Sequence, residues 1–142
     1  MTGGDWRRLF RSEPRTIDAG LLVLRLWFGL VMAFGHGFKK VSDLDAFTAA
    51  VAQSVPFPAL LAPAAALSEF FGGLLFAIGL FTRPAALMVM VTMLVAAFHV
   101  HAADPFVKKE FALAYAFAAL VGLLAGPGRF SLDARLFSRR AA

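Results

Sequence analysis

Cysteine is absent from the 142-residue chain, and charge is scarce: 16% of residues are Asp, Glu, Lys or Arg, against 60% hydrophobic. Without cysteine there is no disulfide scaffold, no thiolate-held metal or cluster, and no thiol redox chemistry in the chain itself. A soluble domain carries about 25% charged and about 45–50% apolar residues. This composition, with a mean hydropathy of +0.74, therefore excludes an ordinary soluble fold. Histidine is limited to three residues and tyrosine to one. There is no glycine-rich dinucleotide or phosphate loop and no Ser/His/Asp arrangement. Each ionisable residue inside an apolar stretch becomes informative for that reason.

Crossing a hydrocarbon layer of ~30 Å takes about 20 mostly apolar residues. Four stretches meet that length: 19–36, broken by Arg25; 59–81, broken by Glu69; 84–103, holding only His99 and His101; and 111–128, with no formal charge. Backbone groups in lipid must be satisfied within their own segment, so such continuous runs predict helices rather than barrel strands. The expected fold is all-α, a four-transmembrane-helix bundle over residues 18–128. A basic segment precedes it (1–17) and a basic interfacial tail follows it (129–142). Pro84 suits a helix start, and Gly126-Pro127-Gly128 ends the fourth helix. Ser131-Leu132-Asp133 predicts the cap of a short interfacial helix. Residues 37–58 form the long loop, with an amphipathic stretch over 39–53 suited to a short surface helix. The second helix starts between residues 58 and 63.

The net charge of +5 is unevenly placed. Nine arginines (Arg7, Arg8, Arg11, Arg15, Arg83, Arg129, Arg135, Arg139 and Arg140) fall on one side of the bundle. Four lysines (Lys39, Lys40, Lys108 and Lys109) fall on the other. The positive-inside rule puts both termini in the cytoplasm, and the basic charge reads as an orientation and lipid-surface signal, not a nucleic-acid interface. The stretch after Arg7-Arg8-Leu9-Phe10 contains Arg25 and lacks a small-residue cleavage pattern, which argues against a signal peptide. Trp6, among the arginines, suits an interfacial anchor.

Ionisable groups inside membrane helices are expensive and mark function when a partner can be named. With His36 at the outer boundary, Arg25 lies ~16 Å deeper on the same helix face. Glu69 then lies ~15 Å down the second helix, so the two are expected to pair near the midplane. Ala62, Ala65, Ala66, Gly72 and Gly73 around Glu69 allow close helix approach. His36, freed from crowding by Gly35 and Gly37, is expected to join His99 and Glu110 in the outer half. His101, rotated by about 200° from His99, is expected to face headgroups or solvent. Tyr115 is a further donor to this cluster, and Trp27 faces lipid or the core, or stacks on a cofactor. Three chemistries stay open: a metal site of His36, His99 and Glu110, without the usual paired spacing; a proton relay or the hydrogen-bonding end of a quinone pocket; or polar decoration. A plain Arg25–Glu69 pair that fixes helix register is the structural alternative.

The order of these residues resembles the DoxX family of small four-helix bacterial membrane proteins. The resemblance covers about residues 19–133. It is carried by Leu24-Arg25-Leu26 with Gly29, by His36-Gly37-Phe38-Lys39-Lys40, and by Glu69-Phe70-Phe71-Gly72-Gly73. The turn from Ile78 to Ala86, His99, Glu110 with Tyr115, and the ending from Gly126 to Asp133 complete it. It implies a multi-pass protein of the bacterial inner (plasma) membrane with cytoplasmic termini. The family takes its name from a subunit of a thiosulfate:quinone oxidoreductase, which implies a component of a quinone-linked oxidoreductase. Lacking cysteine, this chain would leave the electrons to a bound lipoquinone or an oxidoreductase partner subunit. A small-solute or proton carrier using the Arg/Glu/His cluster is the alternative, and four helices would then favour a homo-oligomer. A non-catalytic membrane assembly partner is the other.

Overall fold

A computed structural model describes residues 13–137; the arginines at 7, 8, 11, 139 and 140 and Trp6 lie outside the described residues. The described chain is helical, with no strand. Four long helices carry it: α1 (Pro14–Ser42) and, after the short α2 (Leu44–Val51), α3 (Pro58–Ile78), α4 (Thr82–Val100) and α5 (Phe106–Ala125). A six-residue α6 (Leu132–Phe137) ends it. Of the long helices, α1, α3 and α4 are long and apolar enough to cross a membrane. Helix α5 has the length, but Lys108, Lys109 and Glu110 occupy its first turns.

Local chemistry explains the boundaries. Pro14 and Pro58 open α1 and α3, where a missing N–H removes nothing the helix needs. Asp43 caps α2 by accepting the Ala46 N–H at 3.1 Å. Gly79 ends α3 in the left-handed region (φ +70°), with Leu80 N–H donating to the Leu75 carbonyl and Gly79 N–H to that of Phe76. This is the glycine-terminated helix end that an L side chain resists. Ser131 caps α6 as the sequence indicates, accepting the Ala134 N–H at 3.0 Å. The expected loop is shorter than its sequence suggests: residues 37–42 continue α1.

Small residues bring α1 and α3 together. A Cβ on Gly29 would overlap Gly73 and Ala77, and one on Gly37 would lie 2.6 Å from Phe70 Cα. Glycine at Gly37 thus serves backbone approach, not room for the neighbouring imidazole. Phe28, Met32, Phe76, Val89 and Ala119 pack the centre, with Phe28 and Phe76 edge to face at 5.2 Å between ring centres.

Each of α1, α3 and α4 contains a π-helical segment: Val31–Gly37, Ser68–Gly72 and Ala96–Val100. A π-turn accommodates an extra residue, turning everything beyond it by about 100° relative to α-helical phase. His36, Glu69 and His99 each lie inside one of these segments.

Candidate functional site

Arg25 and Glu69 are both 1% exposed, but they are not partners. Gly29 packs at the level of Gly73 and Ala77, so Arg25, one turn earlier, lies level with the end of α3. Gly79 is ten residues from Glu69, about 15 Å along the helix. The expected pairing needs His36 at the outer boundary, whereas α1 continues to Ser42 and its Gly37 meets Phe70. That shift, with the π-turn at Val31–Gly37, separates the expected pair.

Arg25 instead reaches the α3–α4 turn and the segment before α6. Its Nη2 donates to the Phe130 carbonyl at 2.6 Å, and Nε and Nη1 have no partner among the described residues. Gly79 leaves the space for this guanidinium: a Cβ there would overlap Nη1. Asp133 completes the knot. It accepts from the Phe81 N–H (2.8 Å), the Thr82 N–H (2.9 Å) and the Thr82 hydroxyl (2.8 Å). Its own N–H donates to the Gly79 carbonyl at 2.8 Å. Burial raises the Asp133 carboxyl, but the hydrogen bonds from Thr82 and Phe81 and the nearby Arg25 charge outweigh it and hold the group below the usual carboxylate range.

The partner of Glu69 is Lys40. Its ammonium donates to both carboxylate oxygens, at 2.5 and 2.6 Å, and sits 4.9 Å from the centre of the Phe47 ring on α2. Lys40 is 27% exposed against 1% for Glu69. The pair lies on the wall of a cavity of about 560 Å³ between α2, α3 and α4. The remaining wall is mainly aliphatic, including Val51, Leu61, Leu87, Val91 and Val95. Beside the pair, the Thr92 hydroxyl donates to the Met88 carbonyl and accepts from the Ser68 hydroxyl, each at 3.0 Å.

His101, expected to face headgroups or solvent, keeps 37% of its side chain exposed and also lines this cavity, while His99 is exposed. The π-turn at Ala96–Val100, closed by the His101 N–H to the Ala96 carbonyl at 2.9 Å, sets the phase of the two histidines. His36 packs on the other side of α1, 5.4 Å from Tyr115 and 6.2 Å from Phe111 between ring centres. Tyr115 also contacts Phe28. Glu110 is exposed. His36, His99 and Glu110 therefore do not gather, and no group of three His, Cys, Asp or Glu able to hold a metal exists among the described residues. Trp27 is 75% exposed on the outer face of α1, beside Val23 and Phe34, so its indole faces away from the bundle.

Lys40 and His101 are the functional candidates that spacing did not supply. The signal for Lys40 was available, since it lies four residues after His36 in a run ending an apolar helix. No curated protein and no solved structure matches the chain. Residues 20–102, from the first turns of α1 to just beyond His101, match the DoxX family model, and the chain is a multi-pass membrane protein of the DoxX family.

Proposed function

We propose that this protein is a four-span bundle of the bacterial inner membrane, with both termini cytoplasmic, that binds a lipoquinone as a component of a membrane oxidoreductase. The observation that carries the proposal is the aliphatic cavity with a buried Lys40–Glu69 pair on its wall. The fourth span is α5, whose residues beyond Glu110 carry no charge. Outward-facing Trp27, Phe34, Phe98 and Phe117 suit contact with lipid tails.

The cavity fits an amphiphile. Lys40 and Glu69 cancel in charge, so the wall favours a neutral head over a free ion. Lys40 has a donor for a carbonyl oxygen, and Glu69 an acceptor for a hydroxyl. The aliphatic residues exclude water and match an isoprenoid tail. A bound quinone would supply the two-electron, two-proton chemistry that a chain without cysteine lacks. Lys40 and Glu69 hold the head, and Arg25, with Asp133, positions the helices. The carrier reading gains less support: below Glu69 the bundle is filled by Phe28, Met32, Phe76 and Val89.

Protein purified in mild detergent is expected to bring lipoquinone into an organic extract at near-stoichiometric amount. Glu69→Gln, with an unchanged size-exclusion profile, is expected to lose most of it. Wild-type protein whose extract contains no quinone overturns the reading.

A further inference from the structure

Beyond the buried pair, the cavity has a second polar feature at its rim. His101 Nδ1 lies 2.7 Å from Asp104 Oδ2, and the opposite oxygen of Asp104 lies 3.3 Å from Lys108 Nζ. The turn between α4 and α5 is closed by the Asp104 N–H donating to the His101 carbonyl at 3.0 Å. Lys109 Nζ donates to the Ala102 carbonyl at 2.7 Å. The rim is thus tied to both helices.

The hydrogen bond from His101, opposed by burial and aided by Lys108, holds the Asp104 carboxyl below its usual range. An ionised carboxylate only accepts, so Nδ1 must be the donor in this contact. In the neutral ring that leaves Nε2 as the acceptor, and Nε2 has no protein partner among the described residues. His101 is 37% exposed and lines the same cavity as Glu69, so its ring meets both solvent and cavity.

We propose that His101, oriented by Asp104, accepts a hydrogen bond through Nε2 from the hydroxyl of an amphiphile in this cavity and exchanges that proton with solvent. This rests on reading the cavity as a ligand site. It gives the site a preference for hydroxyl-bearing over fully substituted heads. The charged groups around His101 are Asp104 on its own turn, Lys108 and Lys109 on α5, and Lys40 with Glu69 across the cavity.

The test uses the full chain in detergent, with decyl-hydroquinone and its dimethyl ether as probes, and affinities from titration calorimetry at one fixed pH. Wild type is expected to prefer the hydroquinone over the ether by at least about tenfold, the size of one good hydrogen bond. His101→Leu is expected to bind the ether as wild type does while its preference for the hydroquinone falls about tenfold, Glu69 still accepting from a hydroxyl; unchanged ether binding separates the lost acceptor from a misfolded cavity. Asp104→Asn removes the carboxylate that fixes the tautomer, so it should bind the ether as wild type does and lose part of the preference. A preference undiminished in His101→Leu overturns the proposal while leaving the cavity a ligand site. Wild type that binds neither probe overturns both.

Discussion

Replacing Lys40 with methionine keeps the length of the side chain and removes the cation that holds the Glu69 carboxylate. Glu69 is 1% exposed and takes both of its hydrogen bonds from Lys40, so the variant leaves a buried charge without its counter-ion. Breaking a buried pair from one side destabilises by about 3–5 kcal/mol. Lys40 is 27% exposed and admits some water, which sets the expected loss at the low end, about 3 kcal/mol. That is a factor of about 150 in the folding equilibrium. SDS titration in mixed micelles measures it, with a double-mutant cycle as the control. Lys40→Met with Glu69→Gln should recover most of the loss, giving a coupling of about 2 kcal/mol. Arg25→Met with Glu69→Gln should add to within about 0.5 kcal/mol, as distant sites do. A larger coupling for Arg25 than for Lys40 would refute the assignment of partners.

Three further outcomes follow from other parts of the bundle. Gly37→Ala places a Cβ 2.6 Å from Phe70 Cα and 2.7 Å from the Glu69 carbonyl carbon and should destabilise by about 2 kcal/mol, whereas Gly35→Ala meets nothing closer than 3.5 Å; equal effects in the same SDS titration would contradict the packing of α1 on α3. Gly79→Ala imposes a side chain at φ +70° and overlaps Arg25, so the loss should exceed the roughly 1 kcal/mol of left-handed strain alone and be partly relieved by Arg25→Met. Asp133 titrates below its usual range in the folded protein, so its contribution is present above the unfolded value near ~3.9 and lost as pH falls through the lower folded value; Asp133→Asn should flatten the decline of stability in that acid range.

Much of the fold was legible because it follows from composition. Four apolar runs, the Gly126 ending and the Ser131 cap each express a local rule, and each has its counterpart in the described helices. Arg25 and Glu69 also stood out correctly as buried, because a charge in an apolar run has few other places to go. Their partners were not legible. Spacing arguments assume 3.6 residues per turn, and the π-segments at Val31–Gly37, Ser68–Gly72 and Ala96–Val100 break that phase where the polar residues sit. The same interruption helps explain why His101, and not His99, lines the cavity. Lys40 was hidden differently: read as a loop residue, it belongs to the last turns of α1, from which its long side chain reaches the wall of the cavity. Asp133 looked like a local cap, yet its carboxylate serves the start of α4, some fifty residues earlier; long-range capping leaves no short-range pattern.

The central claim is that the cavity between α2, α3 and α4 is the ligand site. Photolabelling in native membranes with an azido-substituted alkyl quinone, followed by peptide mapping, tests it most directly. Adducts are expected on Leu61, Leu87 and Val91, competed away by unlabelled quinone and reduced in Glu69→Gln. Adducts spread over the outward face at Val23, Trp27 and Phe34, unaffected by competitor, would contradict the account.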